Sequence, residues 1–182
     1  MIYLFDKMET VDNQMLMQIH KFLPIKRQDQ IHRYRNMADK KLCMIAYLLL
    51  LYGVRQEYGI REELEFDYLD CGKPILRNYP RIHFNMSHCR LGAVCAISNQ
   101  PIGVDIQDIS TFDLEVAKLV CNKQELEQIQ NASDQGLEFC KLWTAKESVI
   151  KKSGEGISCD LKALDLTSVK TKVYHDYVIS VI

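Results

Sequence analysis

The chain has no long apolar run, no paired-cysteine motif, no low-complexity tract and almost no net charge. Each absence removes a class of protein. Its most apolar stretch, Leu42 to Val54, is thirteen residues, short of the roughly 20 a helix needs to cross a bilayer, and it reads as a buried core helix. The opening segment, Met1 to Asp6, lacks the basic leader and apolar run of a signal peptide and reads as a first strand. Seven cysteines (Cys43, Cys71, Cys89, Cys95, Cys121, Cys140 and Cys159) form no Cys-x-x-Cys pair and are odd in number. They read as reduced thiols in a cytoplasmic protein. A formal charge of -1 excludes the whole-surface basic field of a general nucleic-acid binder, so any anion site must be local. Only four prolines occur (Pro24, Pro74, Pro80 and Pro101), all where turns are expected.

What is present fits an ordinary globular protein. A length of 182 residues accommodates one sizeable domain or two small lobes, and 47% hydrophobic residues suffice for a buried core. Leu137, Cys140, Leu142, Trp143, Val149 and Ile150 recur at helical spacing, and Gly154 supplies a common helix stop. Trp143, Glu147 and Lys151 then share one face. Lys146 sits about 100° round from Glu147, so the helix can aim a carboxylate and two ammonium groups at neighbouring points of a ligand. The plain alternative is an exposed Glu147 to Lys151 ion pair, worth a few tenths of a kcal/mol.

Upstream, Ile102, Val104 and Ile106 alternate with Gly103, Asp105 and Gln107 in the period of a strand. Asp105 and Gln107 therefore share a face. Magnesium takes oxygen ligands and is usually held by one or two carboxylates together with substrate phosphates, a need that Asp105 and Glu147 together meet. Taken alone, Asp105 after the Asn99-Gln100-Pro101 turn also fits a solvated strand.

Gly103-Val104-Asp105 followed by Trp143-x-x-Lys146-Glu147-Ser148-x-x-Lys151-x-x-Gly154 resembles the paired signature of the 4′-phosphopantetheinyl transferases, of the surfactin-synthetase-activating type. Gly72-Lys73-Pro74 and Asn85-Met86-Ser87-His88 match two further family motifs in the same order. The resemblance runs from about residue 24 to about residue 160. It implies an α+β fold of two similar lobes related by a pseudo-twofold axis. A boundary near Pro101 gives an N-terminal lobe of residues 1–101 that contacts coenzyme A, and a C-terminal lobe of 102–182 that carries magnesium and the catalytic helix. An internal echo agrees: one helical segment ends near Gly59-Ile60 and leads into Leu64, another near Gly156-Ile157 and leads into Leu161. The closing strand from Tyr177 to Ile182 makes the second lobe shorter than in longer members.

By the same resemblance, Lys26 and Lys40 hold the 3′-phosphate of coenzyme A, Lys73 and Pro74 lie against the adenine, and Ser87, His88, Lys146 and Lys151 bind phosphates. Lys26 to Lys41 carries six Lys or Arg against Asp29 and Asp39, a phosphate-binding stripe or a solvated helix flank. Asp29 stands where the family often has a second lysine. The Cys71 to Pro74 segment is also a plain turn between strands. Ser87 and His88 are adjacent and point to opposite faces of a strand, which excludes a Ser-His nucleophile pair. Glu125 fits two roles, since Asn122-Lys123-Gln124-Glu125 has the spacing of a capping box and the family has a functional carboxylate there. Gln107 replaces a glutamate that many members use for the metal. A carboxamide oxygen can ligate but brings no charge, so the empty site should hold magnesium more weakly.

The implied activity is that of a holo-[acyl-carrier-protein] synthase: transfer of 4′-phosphopantetheine from coenzyme A to a serine of an apo acyl or peptidyl carrier protein, releasing adenosine 3′,5′-bisphosphate. Magnesium on Asp105, Glu147 and Gln107, with Lys151 beside it, would neutralise the pyrophosphate, and Glu147 or Glu125 would accept the serine proton. A monomer is expected. The alternative is a non-catalytic module that binds coenzyme A or a carrier protein.

Overall fold

The computed structural model describes residues 1–110, 112–154, 156 and 160–182. Cys159 and Ile157, the latter part of the second arm of the internal echo, lie outside the described residues. The fold is α+β, as expected. The first half runs β1 (Ile2–Phe5), a 3₁₀ turn at Met8–Thr10, α1 (Asn13–Lys21), α2 (Ile25–His32), α3 (Met37–Tyr58), β2 (Phe66–Tyr68), β3 (Pro74–Leu76), β4 (His83–Cys89) and β5 (Gly92–Ser98). The second runs β6 (Val104–Asp108), α4 (Leu114–Val120), α5 (Lys123–Asn131), α6 (Gln135–Ser153), a 3₁₀ turn at Leu161–Ala163, β7 (Lys170–Val173) and β8 (Tyr177–Val181).

The two long helices are bounded by their own sequence. Asn36 caps α3 by accepting from the Asp39 amide, and Asp134 caps α6 by accepting from the Leu137 amide. Each satisfies an amide that the first turn leaves free. Gly59 and Gly154 close the two helices in the left-handed region, at φ 68° and 74°, where a side chain would be strained.

Strand order is β1-β5-β4 in one sheet and β6-β8-β7 in the other, all antiparallel, with β2-β3 a separate hairpin. In both larger sheets the first strand pairs with the last one to be made. Helix α3 lies on the first sheet through Cys43, Met44, Tyr47, Leu50 and Val54, packed against Phe84, Cys95 and Ile97. A second cluster, including Val94 and Ala96 of β5, Val104 and Ile106 of β6, and Ile179 of β8, joins the two sheets. The pleat then decides the rest: with Val104 and Ile106 turned into that junction, Asp105 is turned toward α6.

Candidate active site

The site begins with a glycine. A Cβ on Gly103 would lie 1.9 Å from the Ser148 carbonyl oxygen and 2.6 Å from the Lys152 amide nitrogen. Only a residue without a side chain lets α6 pass this close to the start of β6. That approach sets the last two turns of α6 over Asp105, which is buried at 4% exposure.

Three groups meet there. Lys151 Nζ donates to Asp105 Oδ1 at 2.5 Å and to Ser87 Oγ at 2.9 Å, and Ser87 Oγ donates to the same Oδ1 at 2.7 Å. The bonds share one carboxylate oxygen, so neither occupies the other. Asn85, two residues before Ser87 and on the same face of β4, accepts from the Val104 amide at 3.0 Å and fixes β4 beside β6. The Asn85 to His88 motif is thus partly a stitch between sheets. Its serine reaches the cluster while His88 points into a cavity on the other side of the strand, bordered by Gly72, Pro74 and Arg27.

Glu147 is half-buried on the same face of α6 as Lys151 and makes no hydrogen bond or ion pair among the described residues. Burial, with the nearby Asp105 charge adding, raises its carboxyl pKa above the ordinary value, against the opposing pull of Lys151. A carboxylate that resists ionising beside a second carboxylate is what a cation site looks like before the cation arrives. Among the described residues no group of three or more His, Cys, Asp or Glu could hold a metal. Asp105 and Glu147 are the two carboxylates here that could offer oxygen ligands to a cation. His88 is exposed at the cavity mouth, yet enough of its ring is covered that burial, and then the Lys151 charge, lowers its pKa.

The other predicted residues fall elsewhere. Lys146 is fully buried, its Nζ 2.8 Å from Glu125 Oε1 and 2.7 Å from the Leu161 carbonyl. It faces away from Asp105 and ties α6 to α5 and the 3₁₀ turn. Glu125 completes a capping box with Asn122, its Oε2 accepting from the Asn122 amide at 2.7 Å. Both of its oxygens are bonded within the fold, one to Lys146 and one to the Asn122 amide. Lys73 Nζ donates to the Lys152 carbonyl at 2.8 Å, tethering the β2-β3 hairpin to the end of α6. Pro74 lines the cavity that His88 enters. Lys26 is exposed on a wider depression of 680 Å³, and Lys40 lines an apolar groove with Leu16, Met37 and Met44. The two lysines line different cavities. Gln107 lines a small pocket with Phe139, Cys140 and Trp143, one pleat repeat along from Asp105. Sequence reasoning left two residues without a role, Asn85 and Arg27; the first sits in a quoted motif, and the second carried only its positive charge as a signal.

A strongly bonded Asp-Lys-Ser cluster beside a partnerless carboxylate can bind a metal-phosphate group and accept a proton. Comparisons with known proteins agree. The profile of the 4′-phosphopantetheinyl transferase superfamily matches residues 101–179, and that of the N-terminal part of 4′-phosphopantetheinyl transferase matches residues 10–101. The chain belongs to the 4′-phosphopantetheinyl transferase superfamily, in its surfactin-synthetase-activating branch. It is 27% identical over 183 residues to the 4′-phosphopantetheinyl transferase Sfp of Bacillus subtilis, covering 99% of this chain and 78% of that protein. It is 30% identical over 149 residues to the 4′-phosphopantetheinyl transferase psf-1 of Bacillus pumilus, covering 80% of this chain and 64% of that one. The L-aminoadipate-semialdehyde dehydrogenase-phosphopantetheinyl transferase of Saccharomyces cerevisiae is 30% identical over 159 residues, covering 81% of this chain and 58% of that one. The chain thus spans less than two thirds of the Bacillus pumilus and yeast relatives. Among the described residues no helix is long and apolar enough to cross a membrane.

Proposed function

We propose that this protein transfers the 4′-phosphopantetheinyl group of coenzyme A to a serine hydroxyl of an apo acyl or peptidyl carrier protein. The observation that carries this reading is the Ser87-Asp105-Lys151 cluster with Glu147 on the same helix face, at the junction of the two halves. Residues 1–101 and 102–182 are taken as two similar lobes related by a pseudo-twofold axis, a reading supported by the matching strand orders and the matching glycine stops of α3 and α6.

Asp105 and Glu147 would hold magnesium, with Gln107 able to contribute only a neutral oxygen. When bound, the ion supplies charge neutralisation on the pyrophosphate. The remaining work belongs to side chains. Lys151 orients Asp105 through its hydrogen bond and offers its ammonium to the phosphate that departs. Ser87 fixes the geometry of both. Glu147, the one carboxylate of the set without a hydrogen bond, takes the proton of the carrier serine as that oxygen bonds to phosphorus. The bond from phosphorus to the adenosine bisphosphate then breaks, and the leaving group departs with its electrons. Such transfer depends mainly on positioning and charge. The free state of all six described cysteines supports a reducing, cytoplasmic setting, and the protein is taken as a monomer.

Incubation of a panel of apo carrier proteins with the enzyme, coenzyme A and magnesium, followed by intact-mass measurement, tests the proposal. Gain of one phosphopantetheinyl group on any carrier supports it. Tight binding of coenzyme A with no carrier modified would point to a binding module instead.

A further inference from the structure

Between the β2-β3 hairpin and the end of α6 lies a pocket of 320 Å³, none of whose lining residues belongs to the Asp105 cluster. Its walls are largely apolar. Leu76, Ile82 and Phe84, all buried, line it together with the exposed Ile75. Pro74 is the one residue that also lines the cavity His88 enters, so β3 separates the two spaces.

Among these walls stand two ammonium groups, Lys73 and Lys152, and the His83 ring, with no carboxylate in the lining. Lys73 passes close to Gly154, where a Cβ would lie 3.2 Å from its Cδ, and gives one N–H to the Lys152 carbonyl at 2.8 Å. That bond serves the helix, whose last carbonyls have no partner within it. It does not satisfy the lysine, because an ammonium carries three donors and this one pairs with no carboxylate among the described residues. Burial lowers the Lys73 pKa, and the neighbouring Cys71 opposes this only in part. The Lys152 ammonium likewise has no hydrogen bond or ion pair among the described residues. Cations partly withdrawn from water without a counter-charge cost free energy that a bound anion recovers.

The form of the pocket narrows the anion. A nucleotide or polyphosphate needs many donors and polar walls, whereas here a small cationic patch borders an apolar surface. Small-molecule sites begin at roughly 300 Å³, so the space suits a ligand of modest size. We infer that this pocket binds an amphiphilic carboxylate, an aliphatic acid of medium chain length, with its head on Lys73 and Lys152 and its tail against Leu76, Ile82 and Phe84.

Titration of the isotope-labelled protein with octanoate and with octanol, followed by amide chemical shifts, tests the idea. Octanoate should shift the amides of Lys73, Ile75 and Lys152 together and saturably. Octanol has the same tail without the charge and should bind about tenfold more weakly or worse, the equivalent of about 1.4 kcal/mol. Lys73→Met should bring octanoate down toward the level of octanol, and Ile75→Trp, which enlarges an exposed wall residue, should weaken both. Thermal melting checks that each variant folds, and Ile75→Trp carries the test if Lys73→Met does not. Equal binding of octanoate and octanol overturns the inference, as does octanoate affinity unchanged in either folded variant. Shifts centred on Gly72 and His88, or on the groove lined by Met37 and Met44, would put the acid elsewhere and overturn it as well, and so would the absence of any saturable shift.

Discussion

Helices α3 and α6 occupy matching places, each lying across a three-stranded antiparallel sheet and each ended by a glycine in the left-handed region. What they bury is different. On α3 the buried residues run Leu42, Cys43, Met44, Ile45, Ala46, Tyr47, Leu50, Gly53 and Val54, with no charge among them. On α6 they include Thr144, Lys146 and Ser148, and the adjoining face presents Glu147 and Lys151. One helix makes a core and the other makes a site, on the same architecture. Buried polar groups must be bonded: on α6 Ser148 bonds back to the Ala145 carbonyl of its own helix, while Thr144 reaches Ser180 and Lys146 reaches Glu125 outside it, and the half-exposed Lys151 reaches Asp105. Function has been written into the half whose helix could be surrounded by polar partners.

That contrast can be broken most sharply at Asp105 and Glu147. Asp105→Ala or Glu147→Gln should lower turnover by orders of magnitude, read by carrier modification; thermal unfolding should change little for the half-buried Glu147, whereas Asp105→Ala, which leaves Lys151 and Ser87 without their shared acceptor, should also lower the melting temperature. Leu50→Ala on α3 should do the reverse, costing about 2–5 kcal/mol of stability with activity per folded molecule retained. Near-normal turnover in either carboxylate variant would remove the mechanism.

Buried charge offers a second contrast. Lys146→Ala leaves Glu125 in the interior without its ion partner, and about 3–5 kcal/mol should be lost. A Lys146→Met, Glu125→Gln double variant should regain much of this, because the charge is removed from both sides. Equal instability in the single and double variants would show that the pair acts through packing alone. Gly103→Ala pushes a methyl group against the Ser148 carbonyl, and since backbone cannot swing aside, a loss of about 1–3 kcal/mol is expected, together with reduced turnover as α6 is lifted from Asp105. Denaturant unfolding alongside the activity assay reads both.

The pH dependence gives a smaller effect. The Glu147 carboxyl is raised above its ordinary value, chiefly by burial, so the stability it contributes to the metal-free fold is present below the unfolded pKa and is lost as pH rises through the folded one. Without magnesium, Glu147→Gln should therefore be slightly more stable than wild type at neutral pH, with the gap closing in acid. In the wild type, magnesium binding should weaken as pH falls through that raised value, because the proton competes for the same oxygen. A binding curve flat across that range would mean Glu147 is not a ligand. Least of all should change with Gln107→Glu, which adds a negative charge one pleat from Asp105: the magnesium activation curve should move to lower concentration at similar saturated turnover. No movement would leave Gln107 to the pocket it lines with Phe139 and Trp143.

The elements were legible because their causes are local. The helical period before Gly154, the capping box at Asn122, the alternation through Val104 and Ile106, and the turn before Pro74 are written in neighbouring residues. The pairing of Asp105 with Glu147 and Lys151 could be anticipated only through the resemblance, since nothing local states that α6 crosses β6 at Gly103. Where charge was read from the sequence by proximity, it misled. Lys146 and Glu147 are adjacent, yet a 100° step around the helix sends one into a buried pair with Glu125 and the other to the site. Lys73, expected against the adenine, has its ammonium on the Lys152 carbonyl at the end of α6.

By itself, then, the amino-acid sequence determined an α+β chain with two long glycine-stopped helices, no apolar run long enough for a membrane-crossing helix, and a carboxylate on a strand whose face was set by period-two alternation. The tertiary structure alone decided which charges are spent and which are free. That choice depends on packing between segments far apart in the chain: Ser87 with Asp105 and Lys151 across the sheet junction, Lys146 with Glu125, Arg27 over Tyr47. A side chain's charge is a local property, but its partner, burial and direction belong to whatever the fold brings against it.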